Sequence, residues 1–295
     1  MRTVKQTAEQ WHLSERAVRD YCTKGRIVGA VYENGRWLIP DDVQKPTRKQ
    51  RVDAKNNLVK ILLEESRSRR KGGIYHKTQI DFAYNSNHIE GSTLTEDETK
   101  YIFETNTVGV ESAARVDDVI ETVNHFRCFD YILHTVNKPL SERYIKELHR
   151  LLKTATVSSD RPEAVIGNYK RLPNYVGDIE TTPPDEVSVN IRALLNQEKK
   201  DASFDDLLDF HARFEQIHPF YDGNGRVGRL ILFKQCLKHH IIPFVIHDTN
   251  KAYYYRGLRE WQSGGEKGYL RDTCLLEQDT FKLTMEYFGH PYWDS

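Results

Sequence analysis

His218-Pro219-Phe220-Tyr221-Asp222-Gly223-Asn224-Gly225-Arg226-Val227-Gly228-Arg229 holds a denser set of chemical groups than any other stretch of the chain. Upstream, Phe204, Leu207, Leu208, His211, Phe214 and Ile217 recur at helical spacing, so a helix runs into His218. Downstream, Leu230-Ile231-Leu232-Phe233 opens an apolar helical stretch. The loop between is too rich in glycine to be helical. Gly223, Asn224 and Gly225 let backbone N–H groups turn toward one point, where the next helix adds its unpaired donors and the positive end of its dipole. Such a place binds phosphates. Arg226 and Arg229, three residues apart, share a face of the first turn and can fork onto phosphate oxygens. Asp222 is a hard oxygen ligand beside this anion hole, suited to a magnesium ion that bridges phosphates. His218, across the loop, is a candidate general base. Taken singly, each group has an ordinary reading as a turn, a helix end or a solvated charge. No ordinary turn requires all of them together.

The stretch resembles the signature of the Fic (Fic/DOC) family, His-x-Phe-x-Asp/Glu-Gly-Asn-Gly-Arg-x-x-Arg, with every defined position present. The resemblance implies a protein adenylyltransferase. Such an enzyme transfers AMP from ATP to a Ser, Thr or Tyr hydroxyl of a target protein, the chain itself included. His218 would deprotonate the hydroxyl, and Phe220 would anchor the loop in the core. Asp222 would bind Mg2+ on the phosphates. Asn224 and the amides of Gly223 and Gly225 would hold the α-phosphate, with Arg226 and Arg229 on the outer phosphates.

Further upstream, Ile80, Ala83, Tyr84 and Asn87 share a helical face, and Gly91 is a natural stop after it. Thr95 and Glu98 form a capping box for the next helix. A carboxylate at Glu90, near a helix C-terminus, is mildly unfavourable with the dipole and calls for a partner cation. Ser86, Glu90 and Gly91 match the family's inhibitory motif, Ser/Thr-x-x-x-Glu-Gly/Asn. The match implies an inhibitory helix over 78–91 whose Glu90 pairs with Arg229. Residues 166–184 lose helical period and gain Gly, Pro and β-formers, which reads as a hairpin, with a long surface loop as the alternative. By resemblance this is the flap, with Tyr175 and Val176 on the edge that takes the target by strand addition. Tyr254 and Tyr255 fall where family members line the adenine pocket.

Residues 1–45 read as a separate unit. Helices over 3–11 and 14–23 flank a turn at His12, with Ala8 as the small residue, Val18 as a core β-branched residue and Ser14 as cap. A hairpin follows over 28–39, with Asn34-Gly35 at its turn. The unit resembles an excisionase/MerR-like winged helix-turn-helix. That resemblance implies DNA contact, consistent with the cluster of Arg16, Arg19, Lys24, Arg26 and Arg36. A packing module is the alternative. Residues 46–74 read as a basic linker around one short helix carrying Leu58, Ile61 and Leu62. Residues 75–295 then form the Fic domain.

Basic and acidic residues balance at 43 each, so net charge points to neither nucleic acid nor membrane. No apolar run approaches the ~20 residues of a membrane span. Cys22, Cys128, Cys236 and Cys274 are isolated, with no zinc or disulfide pattern, which fits a reducing cytoplasm. His125, His134 and His149 read as core or surface histidines. The expected architecture is a mainly α Fic bundle with a β-hairpin flap, joined to a small winged helix-turn-helix. A homo-oligomer is compatible with it. Two other functions remain open: removal of AMP by a water that Glu90 positions, and a DNA-binding regulator that uses the fold as a nucleotide sensor.

Overall fold

The computed structural model describes residues 1–11, 13–23, 27–33, 36–45, 57–109, 112–157, 163–177, 179–265 and 267–290. The chain divides into two compact units, Met1–Ala54 and Lys55–Ser295.

In the first unit, strand β1 (Arg2–Thr3) leads into helices α1 (Val4–Trp11) and α2 (Glu15–Thr23), and a hairpin of β2 (Val31–Glu33) and β3 (Arg36–Ile39) follows. The sheet order is β1-β3-β2, antiparallel throughout, with Arg2 opposite Ile39 and Val31 opposite Leu38. Val4, Ala8, Trp11, Val18, Cys22, Ile27 and Ile39 make its core. The helices, the hairpin and the inward Val18 follow the sequence reading, and Ala8 is inward as well; the pairing of β1 was not read, because two residues carry no readable period. The turn residues His12, Asn34 and Gly35, the basic Lys24 and Arg26, and the Arg16 side chain lie outside the description.

The second unit is helical: α3 (Asn57–Ser68), α4 (Ile74–Ile89), α5 (Glu96–Thr105), α6 (Val116–His134) and α7 (Glu142–Lys153) precede a two-stranded hairpin, β4 (Tyr175–Val176) and β5 (Ile179–Glu180). Then come α8 (Val187–Asn196), α9 (Phe204–Ile217), α10 (Asn224–Lys238), a 3-10 turn (Asp248–Asn250), α11 (Lys251–Gln262) and α12 (Gly268–Tyr287). Helix α10 is buried on nearly all sides, its polar Arg226, Arg229, Lys234 and Gln235 included, which places it at the centre of the bundle. Its Val227, Leu230, Ile231, Phe233 and Leu237 enter one core with Phe82, Phe129, Leu148 and Phe220. Its Leu232 and Cys236 enter a second core with Leu208, Tyr254, Trp261 and Leu270.

One expectation needs correction. The basic segment 46–74 is not all linker. Leu62 of α3 is fully buried in the main core, with Leu58 and Ile61 packed against it. Glu65 of the same helix accepts a hydrogen bond from the Tyr75 N–H (2.9 Å), fastening α3 to the start of α4. The apolar stripe was legible, but its place in the main core was not, because arginines and lysines surround it. Lys45 Nζ reaches the Trp11 carbonyl (2.8 Å), while the basic residues 48, 49 and 51 lie outside the description.

Candidate active site

Two helix ends and one loop build the site. Helix α9 begins with a capping box, Ser203 with Asp206, and ends at His218, whose backbone is left-handed (φ 51°). That conformation turns the chain abruptly, so the imidazole stands at the loop rather than along the helix. His218 Nδ1 lies 3.3 Å from the Glu215 carbonyl. A carbonyl only accepts, so Nδ1 carries the proton and Nε2 keeps its lone pair. Burial pushes the imidazole below its usual value, and Lys170 adds to this, against the opposing pull of the Glu215 carbonyl. At neutral pH His218 is therefore an uncharged base.

Phe220 is fully buried, stacked on His149 at 3.8 Å and 8°. His149 is thus a prop for the loop. Its Nδ1 accepts from the Gly167 N–H (3.0 Å), so its Nε2–H donates to the Asp222 carbonyl (3.1 Å). Asn224 also has a structural role. Its Oδ1 accepts from the Phe220 N–H (2.8 Å) and its Nδ2 donates to the Phe220 carbonyl (2.9 Å). The side chain therefore locks the loop, with its second Nδ2 hydrogen and its backbone N–H left to offer a phosphate. Gly223 (φ 81°) makes the turn into α10, but its N–H donates to Asp222 Oδ1 (2.6 Å). The unpaired donors at the helix start are accordingly those of Asn224, Gly225 and Arg226.

The two arginines of the first turn face different carboxylates. Arg229 is bound from α4: its Nε donates to Ser86 Oγ (3.1 Å), and its Nη2 to the Ser86 carbonyl (2.9 Å) and to Glu90 Oε1 (2.8 Å). Nη1 is buried without a partner among the described residues. Helix α4 stops at Glu90 because Gly91 is left-handed (φ 92°), and Ser92 N–H closes onto the Asn87 carbonyl (3.0 Å). The stop matches the sequence reading, although the helix starts earlier than expected, at Ile74. A Cβ at Gly225 would lie 2.3 Å from Glu90 Oε1, so the carboxylate rests directly on the first turn of α10. Burial alone would raise the Glu90 pKa, but the charges of Arg229 and Arg226 outweigh it and keep the group ionised.

Arg226 instead pairs with Glu121 of α6 and with Asp222 Oδ1 (3.3 Å). Lys153, the last residue of α7, donates to Asp222 Oδ2 (2.5 Å) and to Glu121. The Asp222 side chain is 46% exposed, and Arg226 and Lys153 hold its pKa down to about 2. Neither Glu121 nor Lys153 was singled out from sequence, because each lies far along the chain from its partners. Among the described residues no cluster of three or more His, Cys, Asp or Glu forms a self-sufficient metal site. Asp222 fits a magnesium ion only as one carboxylate among phosphate oxygens, a common arrangement for that ion.

The flap is tied to the loop at its base. Lys170 N–H donates to the Pro219 carbonyl (2.9 Å), and Asn174 Nδ2 to the Phe220 carbonyl (2.9 Å). Tyr175 and Val176 are both exposed on β4, and Asp178 lies outside the description. Of the two tyrosines expected at an adenine pocket, Tyr254 is fully buried with its hydroxyl on His211 Nε2 (2.7 Å), so it belongs to the core. Tyr255 keeps 39% of its surface exposed. His125 is wholly buried and, for that reason first, held neutral with its pKa lowered to about 3.

Residues 139–236 match the sequence profile of the Fic/DOC family. The chain is similar to "Protein adenylyltransferase Fic" of Drosophila persimilis, 25% identical over 244 residues that cover 80% of this chain and 46% of that protein. It is likewise 25% identical to the protein of the same name from Nematostella vectensis over 206 residues, covering 67% and 46%. The chain thus spans less than half the length of the curated relatives it matches. Among solved structures, a Fic-domain-containing signalling protein from Bacteroides thetaiotaomicron superposes with a TM-score of 0.66 at 23% identity, covering 82% of this chain and 97% of that one. Fic-1 from C. elegans superposes with a TM-score of 0.58 at 18% identity, covering 80% and 72%. The mainly helical second unit therefore has the Fic fold.

Proposed function

We propose that this chain is a protein adenylyltransferase held inactive by Glu90. The observation that carries the reading is the Arg229–Glu90 pair seated on the first turn of α10, with the neutral His218 beside the same loop. The N–H groups of residues 224–226 and the freed Arg229 receive the phosphates of ATP. A Ser, Thr or Tyr hydroxyl of the target, laid along the β4 edge at Tyr175 and Val176, faces the α-phosphorus. Its oxygen forms the new P–O bond as the bond to diphosphate breaks, and its proton passes to His218 Nε2. Tyr255 flanks the nucleoside end. Asp222 is the residue that would hold Mg2+, which when bound offsets the charge growing on the diphosphate.

Inhibition follows from charge competition. Arg229 forks at full strength onto either Glu90 or a terminal phosphate, and an ionised carboxylate on the helix start repels phosphates. A second reading, removal of AMP, is favoured by the same ionised Glu90, which can orient a water toward a phosphate ester. For residues 1–45, we infer DNA contact as a separate activity.

The test uses Glu90→Gly as the active background. His218→Ala added to it should abolish incorporation of AMP from labelled ATP while ATP still binds. Incorporation near the parent rate in that double variant would refute the base assignment.

A further inference from the structure

We propose that Lys153 is a built-in cation that holds the Asp222 carboxylate in a metal's stead, so that a divalent ion reaches Asp222 only together with nucleotide phosphates. The proposal rests on reading Asp222 as the metal carboxylate of a nucleotide site.

Lys153 is placed tightly for this task. Asn124 Nδ2 donates to the carbonyls on either side of it, Leu152 (3.0 Å) and Thr154 (2.7 Å), which fixes the end of α7. The aliphatic stem lies against Gly223, where an added Cβ would come within 3.4 Å of the Lys153 Cδ. The side chain is 3% exposed, so the ammonium has little freedom to leave for solvent. Its Nζ bonds both Asp222 Oδ2 (2.5 Å) and Glu121. The other oxygen of Asp222 already takes the Gly223 N–H (2.6 Å) and Arg226 Nη2 (3.3 Å).

Asp222, Glu121, Lys153 and Arg226 form a neutral quartet, two charges of each sign. A lone divalent ion approaching Asp222 gains one carboxylate already bonded on both oxygens and is repelled by two cations at hydrogen-bonding range of it. A triphosphate reverses that balance by bringing several negative charges and further oxygen ligands. Glu121 makes the exchange feasible: when Lys153 releases Asp222, the ammonium keeps a carboxylate partner and is not left buried and unpaired.

The experiment is a Mn2+ titration followed by electron paramagnetic resonance, on wild type, Lys153→Met and Lys153→Arg, with and without a non-hydrolysable ATP analogue. Without nucleotide, wild type and Lys153→Arg should bind Mn2+ weakly, and Lys153→Met about tenfold more tightly, since one competing charge is gone. Adding the analogue should tighten wild type toward the variant. Equal Mn2+ affinity of wild type with and without the analogue overturns the proposal, and this arm stands even where Lys153→Met fails to fold. A folded Lys153→Met no tighter than wild type also overturns it. Asp222→Asn added to Lys153→Met should abolish the gain; if the gain persists, the ion is not on Asp222 and the underlying metal reading fails instead. Because the signal is metal occupancy, the outcome does not depend on whether AMP is transferred.

Discussion

With both ends of its amide bonded to the Phe220 backbone, Asn224 ties the start of α10 to the loop's apolar anchor. Asn224→Ala orphans the buried Phe220 N–H, while Asn174 still donates to the carbonyl. An orphaned group of this kind costs roughly 1–3 kcal/mol. The variant should melt at a lower temperature and lose AMP transfer in the Glu90→Gly background, because the phosphate-facing N–H groups lose their alignment. An unchanged melting temperature would contradict the role. The pH profile is a second residue-scale test. His218 acts as a base only when neutral, and its pKa is lowered by burial, so the base form persists below the usual imidazole value of about 6.5. Transfer by Glu90→Gly should be flat across neutral pH, with its acidic limb below that value. An acidic limb above it would mean the imidazole is charged in the folded protein.

At the scale of elements, close approach sets what the helices tolerate. Where α11 crosses α12, a Cβ at Gly257 would lie 2.4 Å from the Leu270 N and 2.6 Å from its Cα. Backbone cannot yield as a side-chain tip can, so Gly257→Ala must push the helices apart, at a cost of roughly 1–3 kcal/mol. Chemical denaturation measures this directly; a variant as stable as wild type would show that the crossing is loose. The helix ends were legible in the sequence because caps are local: Thr95 with Glu98 and the stop at Gly91 are both observed. The turn at Gly223 into α10 was legible for the same reason. The partners of its arginines were only partly so. Glu90 was found through its motif, whereas Glu121 and Lys153 reach the loop from α6 and α7, and no local period announces a contact made across ~70–100 residues. The core position of α3 was hidden because charge dominates its surroundings, and Tyr254 was assigned to a pocket because three adjacent tyrosines leave the inward one undetermined without α9 beside them.

At the scale of the whole molecule, the two units carry separate proposals. The first has exposed basic residues, Arg19 (bonded to Glu15 at 2.7 Å) and Arg36 among them. We predict DNA binding that weakens steeply with salt, through release of counterions. Deleting residues 1–45 stops short of α3 and should remove that binding while leaving AMP transfer intact. Absence of binding to any genomic fragment at low salt would favour a packing module. Among the described residues no helix is long and apolar enough to cross a membrane. For the second unit, we propose that one carboxylate, Glu90, withholds Arg229 from ATP. Intact mass after incubation with ATP and Mg2+ tests it most directly. Wild type should remain largely unmodified, and Glu90→Gly should gain the mass of one or more AMP groups. A Glu90→Gly protein no more modified than wild type, with ATP saturating and a hydroxyl-bearing target present, would contradict the account.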